Sequence, residues 1–372
     1  MNTEAAPLQR IARLTPLRDA HAAIDAVPAV PASTQPIADC AGAVLACDVV
    51  APHAVPEGPR ALRDGWAVSA DLVQDAGSYA PVPLDPATYY LDAFADLPAG
   101  SDTVIPHDAV EQVGGLLHAV SAAAPGDGVL PASFDAAAGA ILAAAGHRLM
   151  ASDIAALTAL GIGEVQVRRP RIVLAGARDN DIVIDAARRW LADALRRNGS
   201  HVIEADGIAV ALEAEHADAV IGIGGTGSGR RDNSVNALAR IGRVSFHGVA
   251  ISPGETAAFG HVKERPVVLC PGRFDAVMAC WLLLGHRLLD GLSGHTKDSS
   301  LPAIAAILDR KVTSTIGLAE IVPLALEDGR AQPLGTGVWP LNILLRAQGW
   351  LLVPPDSEGF PDGTEVTVHP WP

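Results

Sequence analysis

The stretch Ala219-Val220-Ile221-Gly222-Ile223-Gly224-Gly225-Thr226-Gly227-Ser228-Gly229-Arg230-Arg231-Asp232 holds the most concentrated chemistry in the chain. A short apolar segment feeds a loop with four glycines between positions 224 and 229, then two arginines and an aspartate. Glycine has no Cβ, so its backbone can approach an anion closely, and free amides at the start of a following helix can hold a phosphate. The ligand implied is phosphorylated. No lysine follows the glycines, which excludes a Walker A loop, and Ser228 lacks the spacing of a nucleophile elbow. The twelve histidines form no H-E-x-x-H pattern, and scattered surface or core histidines are the better reading. Asp179-Asn180-Asp181 lacks the glycine and distal glutamate of a calcium loop and reads as a turn. Cys40, Cys47, Cys270 and Cys280 contain no C-x-x-C pair. They read as reduced, mostly buried thiols of a cytosolic protein rather than a zinc site.

The elements that must position this loop follow from periodicity. Arg171–Ala175, His201–Glu204, Asp218–Ile223 and Pro266–Cys270 read as strands. They alternate with helices over Asp185–Asn198, Ala209–His216, Asn233–Ile241 and Asp275–Leu289, with Gly199 as a helix stop. This βαβα rhythm predicts a doubly wound parallel sheet, whose ligands bind at the carboxyl ends of the strands. Both the glycine loop and the Cys270-Pro271-Gly272-Arg273 turn fall at that edge. Upstream, residues 8–26 read as a helix carrying Leu8, Ile11, Leu14, Leu17 and Ile24. Residues 37–128 have the texture of a small β-rich domain, and 135–161 read as alanine-rich helix, with Ser152 and Asp153 able to cap its last part and Gly161 to end it. Glu164–Val167 reads as a strand. After Gly294, strands over Ile321–Leu326, Val338–Leu345, Trp350–Val353 and Glu365–Val368 form a second small β domain.

The 372 residues suffice for roughly two to four domains. With 49% apolar but only 4% aromatic residues, the cores must be built from Ala, Val, Leu and Ile. A net charge of −15 argues against a general nucleic-acid binder, although a local amide-lined pocket still suits a small anion. No apolar leader opens the chain and no apolar run is long enough to span a bilayer, so a soluble cytoplasmic protein without a membrane partner is expected.

Four segments in order resemble the molybdopterin molybdenumtransferase family, the MoeA and gephyrin E-domain proteins. Leu62-Arg63-Asp64-Gly65-Trp66-Ala67-Val68 is similar to the family's M-D-G-Y-A-V, and Leu97-Pro98-Ala99-Gly100-Ser101-Asp102-Thr103-Val104-Ile105 to its P-x-G-x-D-x-V-V. The glycine loop is similar to G-G-x-S-x-G-x-x-D. Ser252-Pro253-Gly254-Glu255-Thr256-Ala257-Ala258-Phe259-Gly260, followed by Cys270-Pro271-Gly272, resembles K-P-G-K-P-x-x-F-G and L-P-G-N-P. Each motif is weak alone; the ordered set spans nearly the whole chain.

The resemblance implies four parts: a helical, elongated domain (1–48 and 136–168), an inserted β-rich domain (49–135), a molybdopterin-binding α/β domain (169–295) and a C-terminal β-barrel-like domain (296–372). It implies a homodimer that takes adenylylated molybdopterin, molybdate and a divalent cation such as Mg2+, releases molybdenum cofactor and AMP, and forms its cleft with the partner's inserted domain. The ligand-binding positions it marks are Gly224, Gly225, Thr226, Gly227, Ser228, Gly229, Asp232, Pro253, Gly254, Pro271, Gly272 and Arg273. Asp64, Asp135 and Asp232 are its metal-ligand positions; each alone would read as a turn or cap aspartate.

The chain also departs from the family. The T-G-D-E-L motif falls on Ala175-Gly176-Ala177-Arg178-Asp179. Two lysines fall on Gly248 and Ser252, and a third on Glu255. The C-terminal arginine falls on Pro323, and the inserted-domain threonine near Ala93. Glu255 inverts the local field against an oxyanion, while Arg230, Arg231 and Arg273 offer replacement charge from neighbouring turns. Two functions fit: a transferase with an altered active site, or a non-catalytic pterin- or nucleotide-binding protein that scaffolds molybdoenzyme maturation with a client enzyme or maturation partner.

Overall fold

The computed structural model describes residues 9–177, 181–295 and 303–372. They fall into two compact units. One takes in the chain up to Cys47, Ala145–Ile154 and Glu164–Pro372; the other comprises Asp48–Ala144 and Ala155–Gly163.

In the larger unit a helix α1 (Leu17–Asp25) precedes the alternating region. That region runs β1 (Arg171–Gly176), α2 (Ile182–Arg197), β2 (His201–Ala205), α3 (Ile208–Glu213), β3 (Ala219–Ile223), α4 (Ser234–Ile241), β4 (Arg243–His247), β5 (Ile251–Ser252), β6 (Ala258–Val262), β7 (Arg265–Cys270), α5 (Phe274–Cys280) and α6 (His286–Ser293). Six of these strands form a sheet in the order β2-β1-β3-β7-β6-β4. β2, β1, β3 and β7 are parallel, as expected, whereas β6 and β4 are antiparallel additions. Short connections replace helices there, which permits hairpin-like pairing. Alternate residues serve opposite faces. Ile172, Leu174, Ile221 and Val268 pack with Ile184, Leu191 and Leu195 of α2. Val173, Ala175, Val220 and Leu269 pack with Ile208, Leu212, Val235 and Leu238. Burial on both faces explains why these strands read as continuous apolar runs.

The last part of the chain supplies β8 (Ile304–Leu308), β9 (Ala319–Glu327), β10 (Arg330–Pro333), β11 (Gly349–Val353) and β12 (Glu365–Pro370). Their order is β9-β10-β8-β12-β11, and β11 pairs back onto β9, closing the sheet like a barrel. β5 joins it in parallel, Ile251 opposite Ala319. Val312, Val322, Leu324, Leu351 and Val353 contribute to its core.

The smaller unit has a sheet of Gly65–Val68 between Tyr90–Leu91 and Thr103–Ile105, over a core including Val68, Val73, Leu84 and Ile105. Its short strands match the β-rich texture of the sequence.

Four expectations need correction. The helix over 8–26 reduces to α1, because Pro16 sits at its N-cap; Leu8 lies outside the described residues. Residues 9–15 instead lie along the Gly248–Ala250 segment, with Thr15 N–H donating to Gly248 O and Ala250 N–H to Thr15 O. The alanine-rich stretch 135–161 is helical only over Ala151–Ala159, with Ile141–Ala143 a strand. Gly139 and Gly146, at φ 78° and 82°, break the earlier part. Asp153 does serve the helix start, accepting the Met150 N–H at 2.8 Å. Residues 338–345 are not a strand: Pro340 caps a 3-10 turn over Leu341–Leu345. The helix over 275–289 is two helices, α5 and α6, joined by a π-helical turn at Trp281–Gly285.

Candidate functional site: the glycine-loop edge

β1, β3 and β7 end in register, Gly176 beside Ile223 and Ile223 beside Cys270. The chain leaves β1 toward β2 on one side and returns to β3 on the other, so β1 and β3 flank the topological switch point. Ala177 N–H donates to Ile223 O at 2.7 Å, and Gly224 N–H to Cys270 O at 2.8 Å. These bonds bring residue 177, the glycine loop and the Pro271-Gly272-Arg273 turn to one edge. Gly224 adopts φ 93°, and a Cβ there would lie 3.1 Å from Ile184 Cδ1, 3.2 Å from Ala177 Cβ and 3.7 Å from Gly272 Cα. The floor of the edge is therefore apolar and closely packed. Asp179 lies outside the described residues; Asp181, expected as part of a turn, is the N-cap of α2.

The glycine loop is braced from within. Ser234 Oγ–H donates to Gly224 O and Ser234 N–H to Gly225 O. Asp232 Oδ2 accepts the Gly229 N–H at 2.9 Å, while Asp232 N–H donates to Gly229 O. The buried Thr226 shares a 2.8 Å hydroxyl hydrogen bond with Thr256, and His247 Nε2–H donates to Thr226 O. Gln9, 216 positions upstream of Gly225, donates from Nε2 to Gly225 O and Gly227 O. Its Oε1 accepts the Val235 and Asn236 N–H groups. The first-turn amides of α4, expected to be free for phosphate, thus have partners within the chain. What the loop leaves exposed is its crown, Ser228–Arg231. Of Gly225, Gly227, Ser228 and Gly229, the first two have their carbonyls held inward by Gln9.

Arg273 lies exposed on the turn after β7, with its guanidinium gripped through Nε (3.0 Å) and Nη2 (2.7 Å) by both oxygens of buried Asp275. The Asp275 hydrogen bond holds the Arg273 pKa above its usual value. This fixed cation stands beside Pro271 and Gly272. By contrast, Pro253 and Gly254 are buried; a Cβ at Gly254 would meet Ile251 Cδ1 at 2.9 Å and Cys280 Sγ at 3.2 Å. They shape the turn after β5. Glu255 Oε2 accepts the Gly254 N–H at 3.1 Å. Cys40, Cys270 and Cys280 are buried and Cys47 is exposed. A hydrogen bond with Cys270, then burial, push the Cys280 thiol well above its ordinary pKa.

The three acidic positions are dispersed between the units. Asp64 and Asp135 belong to the smaller unit and are exposed. Asp64 Oδ1 accepts the Ala93 N–H at 2.7 Å, and Asp135 N–H donates to Val55 O. Asp232 belongs to the larger unit. Among the described residues, no group of three or more His, Cys, Asp or Glu side chains is placed to hold a metal ion.

Gln9, Thr256, His247 and Asp275 escaped the sequence reading. Gln9 could not have been found, since nothing local marks a residue that acts so far along the chain. Asp275 had a signal: an acid two residues past Arg273, at a helix start.

Three regional family models match the chain in order. The MoeA N-terminal region (domain I and II) matches residues 15–161, a "probable molybdopterin binding domain" residues 171–291, and the MoeA C-terminal region (domain IV) residues 305–371. The chain is 24% identical over 381 residues to molybdopterin molybdenumtransferase 2 of Mycobacterium tuberculosis, covering 90% of this chain and 94% of that protein. It is 25% identical over 313 residues to the molybdopterin molybdenumtransferase of Haemophilus influenzae, covering 75% and 77%. Among solved structures, the molybdopterin biosynthesis MoeA protein of Pyrococcus horikosii matches with a TM-score of 0.74 at 27% identity, over 96% of this chain and 99% of that one.

Proposed function

For a chain that belongs to the MoeA family, and so to molybdenum cofactor biosynthesis, we propose that the glycine-loop edge binds molybdopterin and that the protein inserts molybdate into its adenylylated form. The observation that carries this reading is the convergence of the 224–232 loop and the Pro271-Gly272-Arg273 turn at the switch point of the parallel strands. There the exposed crown and the anchored Arg273 guanidinium supply amide donors and positive charge for the pterin phosphate and the adenylyl phosphate. The apolar floor at Ala177 and Ile184 suits the face of a heterocycle. Arg230 and Arg231, exposed on the loop, add positive charge whose attraction grows with the negative charge that develops as the phosphoanhydride breaks. Mg2+, a homodimer, a maturation partner, a cytoplasmic setting and the four-part division at 48, 135, 168 and 295 belong to the same proposal.

One observation favours a second reading, a non-catalytic molybdopterin- or nucleotide-binding protein. Gly248 has φ 93°, and a Cβ there would lie 2.5 Å from Ile11 Cγ2. The residues before Thr15 therefore occupy space where the resemblance puts a lysine side chain, and Glu255 stands where it puts another. Incubation with adenylylated molybdopterin, molybdate and Mg2+ separates the two. The transferase releases AMP above a control without protein. Tight binding with no AMP release leaves the binding reading, and no binding of pterin or nucleotide removes both.

A further inference from the structure

Gln9 is 4% exposed, and its carboxamide makes four hydrogen bonds. Oε1 accepts from Val235 N–H at 2.8 Å and Asn236 N–H at 3.0 Å; Nε2 donates to Gly225 O at 2.9 Å and Gly227 O at 2.8 Å. Its four bonds reach both the loop and the first turn of α4, alongside the shorter tie from Ser234 Oγ to Gly224 O. The main chain behind it is held too. Ile11 and Leu14 pack on Gly248, and Thr15 pairs with Val249.

We propose that Gln9 is a positioning residue for ligand binding, a strap from the N-terminal segment that sets the shape of the glycine loop. By holding the Gly227 carbonyl, and the Gly225 carbonyl together with Ser234 N–H, it keeps two acceptors from the face an anion approaches. By occupying the Val235 and Asn236 amides, it leaves the crown beyond Gly227 as the donor surface. Only a primary amide does both, because it offers an acceptor and two donors on one planar group. The choice of molybdopterin as probe rests on the function proposed above; the geometry of Gln9 does not.

The test uses the full chain with Gln9→Ala and Gln9→Glu. A protonated glutamic acid can still accept from the two amides and donate to one carbonyl, whereas its carboxylate has no donor for Gly225 O or Gly227 O. Relative to wild type at each pH, Gln9→Glu should bind molybdopterin about tenfold more weakly at pH 8 and recover as the pH is lowered toward 5. Gln9→Ala should be weakened by a similar factor at every pH. Backbone exchange at Val235 and Asn236 should quicken by about tenfold or more in Gln9→Ala, since their acceptor is gone. Wild-type affinity in Gln9→Ala, or a Gln9→Glu deficit that ignores pH, overturns the proposal even where exchange quickens, since Gln9 is then a brace of the fold alone. If the wild-type protein binds no molybdopterin, the function reading falls. The same comparison with AMP as the anionic probe then decides for Gln9, and equal AMP affinity in wild type and Gln9→Ala overturns it.

Discussion

The Asp275 carboxylate grips Arg273 with both oxygens and also accepts the Trp339 N–H at 2.9 Å. Asp275→Ala strands that buried amide and frees the guanidinium. The expected cost is about 2–3 kcal/mol, on the scale of hydrogen bonds to charged groups, discounted because Arg273 is half exposed. Urea unfolding measures it, and a stability equal to wild type would show that the ion pair is decorative. Asp232→Ala removes the acceptor of Gly229 N–H at an exposed turn. It should weaken molybdopterin binding while leaving the unfolding midpoint nearly unchanged; an unchanged affinity makes Asp232 a turn cap only. Gly225 is a sterner position. It has φ 70°, and a Cβ would fall 2.3 Å from Ser234 Oγ. Gly225→Ala should therefore cost about 1–2 kcal/mol from the left-handed backbone alone, and more from the displaced Ser234 bond to Gly224 O. Thermal unfolding together with a binding titration checks both effects. These side chains show how far the sequence reached. The glycines and Arg273 could be found in it because their meaning is local. Gln9 acts through partners that the chain brings from afar, and Asp275, although close to Arg273 in sequence, is held by the distant Trp339 N–H as well.

At the scale of elements, α6 is tied to distant loops through Asp290. Its carboxylate pairs with Arg148 Nη2 at 2.8 Å and with His286 Nδ1 at 3.0 Å, and Arg148 Nη1 also donates to Gly42 O and Asn198 O. Burial pushes the Asp290 carboxyl up, but the His286 hydrogen bond and the His286, Arg148 and His295 charges outweigh it and hold the group below its ordinary value. Burial also pulls the Arg148 guanidinium down, against the attraction of Asp290. The two partners thus move the same way, yet an arginine stays charged at neutral pH, so the pair remains ionised. Because the folded Asp290 pKa is depressed, its contribution to stability is present above the ordinary aspartate value, about 4, and is lost as the pH falls through the lowered pKa. Arg148→Met should cost about 3–5 kcal/mol, since it leaves a mostly buried carboxylate with one partner fewer. It should also shift acid unfolding to higher pH, as followed by circular dichroism. An unmoved acid limb would mean that His286 and His295 hold Asp290 without Arg148. Elements with strong periodicity, β1 to α3, were readable because both faces of a parallel sheet demand apolar runs. The 338–345 stretch was not, since Val338, Leu341 and Leu345 are apolar yet exposed.

At the scale of the molecule, the tryptophans divide unevenly. Trp66 lies in the smaller unit, and Trp190, Trp281, Trp339, Trp350 and Trp371 in the larger. In a Trp66→Phe variant, tryptophan fluorescence therefore reports only the unit that holds the glycine loop. Molybdopterin at about a hundred times its Kd should raise the stability of that transition by about 2.7 kcal/mol. A ligand that leaves the fluorescence transition unmoved while binding fully would have its site elsewhere. The closed β8–β12 barrel is joined by β5, whose last residue Ser252 immediately precedes the buried Pro253-Gly254 turn.

The sequence by itself determined what is local and periodic: the parallel α/β core, the glycine loop at its strand edge, three of the five barrel strands and the ordered motifs that carry the family. Tertiary structure decided what the loop can offer. Which amides stay open depends on Gln9, which cation is fixed depends on Asp275, and whether position 248 can carry a side chain depends on Ile11. The Gln9 and Ile11 contacts join segments far apart in the chain, and no spacing or propensity encodes such a contact before the fold has closed the distance; Asp275 is local to Arg273, but its burial against Trp339 is not.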